Sequence, residues 1–131
     1  MTKYKYEIRI DGMFESAHFL YDYYGPGKNE PLHGHTYQVE IFIGSNKLRN
    51  GISVDFLDVR TEFDKLMLAL DHICLNTHPP FTESSPTAEN ISEYIYNHIK
   101  PCLQKDAKIT EVKVWEGPKH SASFFPDEVQ K

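Results

Sequence analysis

Thiols are scarce in this chain: Cys74 and Cys102 are the only cysteines among 131 residues. Two are too few for a scaffold of disulfides, and free thiols are ordinary in a reducing compartment. Long apolar runs are missing as well. No stretch approaches the roughly 20 residues of a membrane-spanning helix, and the start Met1-Thr2-Lys3-Tyr4 has no apolar leader segment. The expectation is a cytoplasmic chain with no membrane partner. Positive charge is also short, with 14 Lys and Arg against 19 Asp and Glu for a net charge of -5. That balance argues against a nucleic-acid partner, because phosphate contacts need clustered cations. No repeat and no low-complexity block interrupts the sequence. What remains is 40% hydrophobic and 25% charged, a globular composition, with a length that suits one domain over residues 1–131.

Tyr4, Tyr6, Ile8 and Ile10 alternate with Lys5, Glu7, Arg9 and Asp11, which reads as a half-buried strand. Continued by twos, the same face reaches Phe14, Ser16 and His18, unless a bulge at Gly12 breaks the count. Asp22-Tyr23-Tyr24-Gly25-Pro26-Gly27-Lys28-Asn29 is a turn-rich loop. A second strand runs from about His33 to Ile43, with His33, His35, Tyr37, Val39, Ile41 and Ile43 on one face. After a loop and a short extended Ile52-Ser53-Val54, Asp55 or Asp58 opens a helix carrying Val59, Phe63, Leu66 and Leu70, ending near Asp71-His72. His78-Pro79-Pro80 breaks the chain. Ser85-Pro86 then reads as a cap and first-turn proline for a helix striped by Ile91, Ile95 and Ile99 and stopped by Pro101. Lys108 to Glu116 alternates as a further strand, and Pro118 with the segment from Pro126 to Lys131 reads as a loose end. Strands and grouped helices in this order imply an α+β fold, with the helices on one sheet face.

The chemistry gathers at Glu30-Pro31-Leu32-His33-Gly34-His35. A His-x-His pair on a strand places both imidazoles on one side, about 6.5 Å apart along the backbone. Both can reach a Zn²⁺ at about 2.0–2.1 Å, and His18 supplies a third ligand by parity and strand position. Three protein ligands and one open position are the pattern of catalytic zinc. The plainer alternative is a set of hydrogen-bonded histidines at a strand start. Glu116 ends an apolar strand face, where it either turns to solvent or anchors a ligand offering two parallel donors. Asp71-His72 is either a helix-end pair complementing the dipole or a carboxylate-oriented acid–base couple. Cys74 and Cys102 lack an evident activating environment.

The series Phe14-Glu15-Ser16-Ala17-His18, His33-Gly34-His35, Val54-Asp55-Phe56, Leu70-Asp71-His72, Leu75-Asn76, Pro86-Thr87-Ala88-Glu89-Asn90 and Val114-Trp115-Glu116 resembles the 6-pyruvoyltetrahydropterin synthase family. That family includes the 6-carboxytetrahydropterin synthases. The resemblance spans nearly the whole chain. It implies a tunnelling fold, with an antiparallel four-stranded sheet, two helices on one face, and homotrimers or hexamers with sites between subunits. It further implies Zn²⁺ on His18, His33 and His35, a pterin held by Glu116, a pterin pocket at Thr87 and Glu89, and a relay of Asp71 and His72.

One departure sets the expected reaction. Related enzymes carry a cysteine four or six residues before the first histidine of His-Gly-His, where this chain has Asn29 and Gly27. Glu30 instead matches the Glu-x-x-His-Gly-His signature of the type III branch. That branch implies cleavage of 7,8-dihydroneopterin triphosphate to 6-hydroxymethyl-7,8-dihydropterin for folate synthesis. A thiol with an ordinary pKa of about 8.5 suits a carbon-bound proton, whereas a carboxylate near 4.3 is ionised at neutral pH and suits a hydroxyl proton. Glu30 is therefore the expected general base. The competing expectations are a pyruvoyl- or carboxytetrahydropterin synthase and a pterin-binding homologue without turnover. Composition alone offers Lys28, Lys47, Arg49, Lys119 and His120 as phosphate contacts.

Overall fold

The computed structural model describes residues 3–126. Two long strands, β1 (Tyr6–His18) and β2 (His33–Ser45), are followed by α1 (Phe56–Leu70) and α2 (Ala88–Ile99), then β3 (Ala107–Glu116) and β4 (His120–Phe124). All strands pair antiparallel in the order β1-β2-β3-β4. Both helices pack on one sheet face, α1 across β1 and α2 across β3 and β4. The α+β architecture of four antiparallel strands and two helices is the expected one.

Alternation decides which face the helices cover. Ile10, Phe14, Tyr37, Val39, Ile41, Ile43, Val112 and Val114 are buried from the sheet side. They meet Val59, Phe63, Leu66 and Leu70 of α1 and Ile91, Ile95 and Ile99 of α2. Each such side chain contributes about 1.5–3 kcal/mol when fully buried. Asp55 caps α1 by accepting the Leu57 N–H at 3.0 Å.

Several local expectations need correction. Gly12 is not a bulge, since β1 and β2 pair without interruption from Tyr6 with Ser45 to His18 with His33. The glycine instead admits α1, because a Cβ there would lie 2.7 Å from Phe63 Cε2. The cap of α2 is Thr87, whose hydroxyl accepts the Asn90 N–H at 3.1 Å, so Pro86 precedes the cap. Ser85 is not free to cap, because its hydroxyl accepts the Tyr21 N–H at 2.8 Å. Ile52 does not start an extended segment: it exchanges backbone hydrogen bonds with Arg49 across a tight turn at Asn50 and Gly51. Pro101 does lie just past α2, as expected, and falls within a short 3₁₀ turn, Lys100–Cys102. The residues after Glu116 turn at Gly117 and return as β4. The loose end expected through Lys131 lies mostly outside the described residues, as do Met1 and Thr2.

The sheet face away from the helices is polar. Glu40 accepts from Arg9 Nε at 2.6 Å and from Trp115 Nε1 at 2.7 Å. Burial raises the Glu40 carboxyl, but the bonds from Trp115 and Arg9 outweigh it and hold the group below its ordinary value. A depressed folded-state value means stability present above the unfolded carboxylate value and lost as pH falls through the folded one. Glu40→Gln is therefore expected to lower the urea midpoint at neutral pH, with the gap to the parent closing below about pH 4. A gap that persists in acid would assign the effect to packing instead.

Candidate metal centre and active site

The pairing of β1 with β2 builds the histidine cluster. His18 ends β1 and sits directly opposite His33, which begins β2, and His35 follows on the same face. One ring nitrogen from each lies within 4.8 Å of those from the other two. The rings meet edge-on, with centroids 4.8–5.0 Å apart.

The remaining ring nitrogens show why these histidines suit a cation. His18 Nδ1 donates to the Pro86 carbonyl at 2.8 Å, just ahead of α2. His33 Nδ1 donates to the Pro31 carbonyl, also at 2.8 Å. A carbonyl can only accept, so both Nδ1 atoms carry the proton and both Nε2 atoms keep a lone pair. His35 Nε2 is buried and has no protein hydrogen-bond partner. Burial also lowers the His35 value against the raising effect of Glu116, which favours the neutral, ligating imidazole. A buried unsatisfied nitrogen beside two pre-set imidazoles fits a divalent cation of the Zn²⁺ kind.

Two carboxylates stand near the cluster, and a third pairs with His72. The Glu30 backbone N–H donates to the Leu20 carbonyl at 3.0 Å, and its Oε1 accepts the Leu20 N–H at 3.2 Å. This clasp closes the Tyr-rich loop and leaves Glu30 Oε1 3.8 Å from His33 Nδ1. Glu116, ending β3 opposite Tyr37, brings Oε1 to 3.2 Å from His35 Nε2. Asp71 caps the C-terminus of α1 and accepts the Glu15 N–H at 2.8 Å while pairing with His72 Nδ1 at 2.7 Å. The Glu15 N–H, with His72 after it, holds the Asp71 carboxyl below its ordinary value. His72 adopts φ 56° and donates its own N–H to the Glu15 carbonyl at 2.6 Å. Asp71 and His72 are thus a carboxylate–imidazole couple fastened to β1.

An open cleft of about 650 Å³ runs between β1, β2 and the segment after α1, walled by Glu15, Gly34, His35, Thr36, His72 and Cys74. That volume falls within the usual small-molecule range of about 300–1,000 Å³. Thr87 and Glu89 do not line it. Thr87 is engaged as a cap, and Glu89 is exposed in the first turn of α2. They join the site only through their neighbour Pro86, whose carbonyl holds His18.

Sequence reasoning missed three contributors. Cys74, for which the sequence offered no activating environment, reaches the cleft because its backbone bridges Ala17 of β1. Asn76 clamps the chain just past His18, accepting the Phe19 N–H at 3.0 Å and donating to the Phe19 carbonyl at 2.9 Å. Tyr37 was legible, since it follows His35 on the buried face. It stacks on Phe14 at 4.7 Å and meets the rings of His18 and His35 edge-on. Burial drives its hydroxyl far above the ordinary tyrosine value, with Glu116 and Glu30 adding to the effect.

Among the described residues, no group accepts from that buried Tyr37 hydroxyl. A stranded donor costs about 1–3 kcal/mol, whereas Phe keeps the stack. Tyr37→Phe is accordingly expected to raise the urea midpoint of the metal-free chain. A lowered midpoint would reveal a partner for the hydroxyl, such as a buried water.

The family model described as 6-pyruvoyl tetrahydropterin synthase matches residues 7–127. A dihydroneopterin monophosphate aldolase of Pyrococcus furiosus is 34% identical over 88 residues, covering 67% of this chain and 73% of that protein. Among solved structures, 6-pyruvoyl tetrahydropterin synthase of Caenorhabditis elegans superposes with a TM-score of 0.76 at 19% identity, covering 93% of this chain and 96% of the other. A Plasmodium vivax 6-pyruvoyltetrahydropterin synthase, with a catalytic glutamate exchanged for alanine, gives 0.74 at 21% identity and coverages of 92% and 97%.

Proposed function

The chain belongs to the 6-pyruvoyl tetrahydropterin synthase family, whose members are lyases acting on pterins, and from that premise we propose a zinc-dependent aldolase. Its substrate is a phosphorylated 7,8-dihydroneopterin, and its product is 6-hydroxymethyl-7,8-dihydropterin, a folate precursor. The observation that carries this reading is Glu30, clasped to Leu20 beside His33, in a loop with no cysteine. A glutamate is named as a catalytic residue in the Plasmodium vivax neighbour, and aldolase chemistry is named for the Pyrococcus relative.

Glu30 takes the proton from the hydroxyl on the second side-chain carbon. The bond between the first and second carbons then breaks, leaving the second as an aldehyde that departs with the phosphate-bearing fragment. Its electron pair passes into the ring's imine through the first carbon. The Asp71–His72 couple, whose His72 lines the cleft wall, returns a proton to that first carbon. Glu116 holds the amino-pyrimidine edge through paired charge-assisted hydrogen bonds. A Zn²⁺ on His18, His33 and His35 supplies Lewis-acid stabilisation of developing negative charge.

Thr87 and Glu89 enter as pterin contacts only if a second subunit completes the pocket, so we assign a homotrimer or a hexamer of two trimers. Exposed Tyr23, Tyr24 and Leu32 flank Glu30 in the loop that such a subunit would cover. Among the described residues no helix is long and apolar enough to cross a membrane, which accords with the cytoplasmic assignment.

A second reading gains from Cys74 on the cleft wall: a thiol could serve a pyruvoyl- or carboxytetrahydropterin synthase. One experiment separates them. Metal-loaded protein is incubated with dihydroneopterin triphosphate and, in parallel, the monophosphate, and products are identified by mass. A hydroxymethylpterin with the matching aldehyde fragment supports the aldolase. A pyruvoyl or carboxy product supports the synthase, and binding without turnover supports a non-catalytic homologue.

A further inference from the structure

Glu116 is the side chain of this site with two claimants. The proposed function gives its carboxylate to a pterin, yet the structure lays it against one histidine of the cluster, with Oε1 3.2 Å from His35 Nε2. That contact is no hydrogen bond. Nε2 is buried and lacks any partner in bonding geometry, so the oxygen lies beside the nitrogen but off the direction in which it would bond. Two donors that share one cation stand in this relation. With bonds of about 2.0–2.1 Å, neighbouring ligand atoms of a tetrahedral Zn²⁺ are roughly 3.3–3.4 Å apart. The observed separation is close to that edge length.

Charge points the same way. Three neutral imidazoles leave the full double charge of a divalent cation uncompensated, and a carboxylate within reach is drawn to it. Among the described residues, His35 is the side chain that stands in ion-pair range of the Glu116 carboxylate. It lies half-buried at the end of β3, just before Gly117 at φ 68°.

We propose that Glu116 closes the metal centre as a fourth ligand while the pterin pocket is empty. Resting on the function proposed above, an arriving pterin then draws the carboxylate onto its own N–H donors and frees the fourth position for the substrate side chain. Pterin recognition and the opening of the metal centre become one event on one residue. Linkage requires the effect to be reciprocal: a pterin that takes Glu116 without replacing it on the metal must weaken the metal, and the metal must weaken that pterin equally.

The test uses no turnover, so it stands whether or not dihydroneopterin phosphates are cleaved. Zn²⁺ affinity of the full chain is measured against a chromophoric chelator for the parent, Glu116→Ala and Glu116→Gln, with circular dichroism confirming the fold of each. Both variants are expected to bind Zn²⁺ at least about tenfold more weakly. Adding pterin with no side chain at its sixth carbon is expected to weaken Zn²⁺ binding by the parent and leave both variants unchanged. With Co²⁺ in place of Zn²⁺, the same pterin is expected to alter the visible absorption of the parent only. Parent-like affinity in the variants overturns the proposal. So does a pterin that leaves the parent's metal affinity unchanged or strengthens it, or a parent Co²⁺ spectrum indifferent to pterin.

Discussion

Glu30→Ala and Glu30→Gln are both expected to slow side-chain cleavage by roughly 10²–10⁴-fold, the usual contribution of a positioned general base. Metal content should not change, because Glu30 stands 3.8 Å from the outer nitrogen of His33, the one that donates to Pro31. The two variants answer different questions. Gln can still accept the Leu20 N–H that Glu30 Oε1 accepts at 3.2 Å, so it preserves the loop clasp while removing the base. Ala removes both. Equal losses in the two would place the effect in proton removal, whereas a loss confined to Ala would place it in the loop. Full activity in both, with metal bound, would end the assignment of Glu30. Cys74→Ser is the internal control: if the reaction is an aldol cleavage run by Glu30, its product and rate should persist.

How far the sequence disclosed this site depends on whether each contact is set by period or by tertiary approach. The histidines were legible because a strand alternates with period two, so His33 and His35 share the buried face with Tyr37. His18 became a partner by the same parity, which the unbroken pairing of β1 with β2 preserved. Asp71–His72 could not be decided from sequence. The choice between a helix-end pair and an oriented couple rests on the Glu15 backbone, 56 residues away. The place of Cys74 on the cleft was hidden for a like reason, since a backbone bridge to Ala17 carries it there. A bulge at Gly12 stayed open in the sequence, because the demand for glycine comes from Phe63 on another element. Whether Thr87 meets a pterin was not decided by its motif, because its hydroxyl caps α2 by accepting the Asn90 N–H and the cleft of a single chain does not reach it. The strand β4 escaped notice because His120-Ser121-Ala122-Ser123-Phe124 is short, polar and at most half-buried. Apolar alternation is weak in such an edge strand.

Removing the metal ligands one at a time should separate their two roles. His18→Ala and His33→Ala are each expected to cost more metal affinity than the roughly 10–100-fold that a lost outer partner costs. Cleavage should become undetectable in both. Their effects on the metal-free fold should differ. His18 is 1% exposed, and its Nδ1 satisfies the Pro86 carbonyl next to the cap of α2. Truncation strands that carbonyl, at about 1–3 kcal/mol, and opens a void among His33, His35 and Tyr37. The side chain of His33 is 37% exposed, and water can replace its bond to Pro31. In urea titrations without metal, His18→Ala should therefore unfold earlier than the parent, and His33→Ala should nearly coincide with it. If the histidines were merely hydrogen-bonded residues at a strand start, neither variant would change metal binding, and only the His18 stability loss would remain. Loss of metal at the exposed position, with the fold intact, is the result that only a shared cation explains.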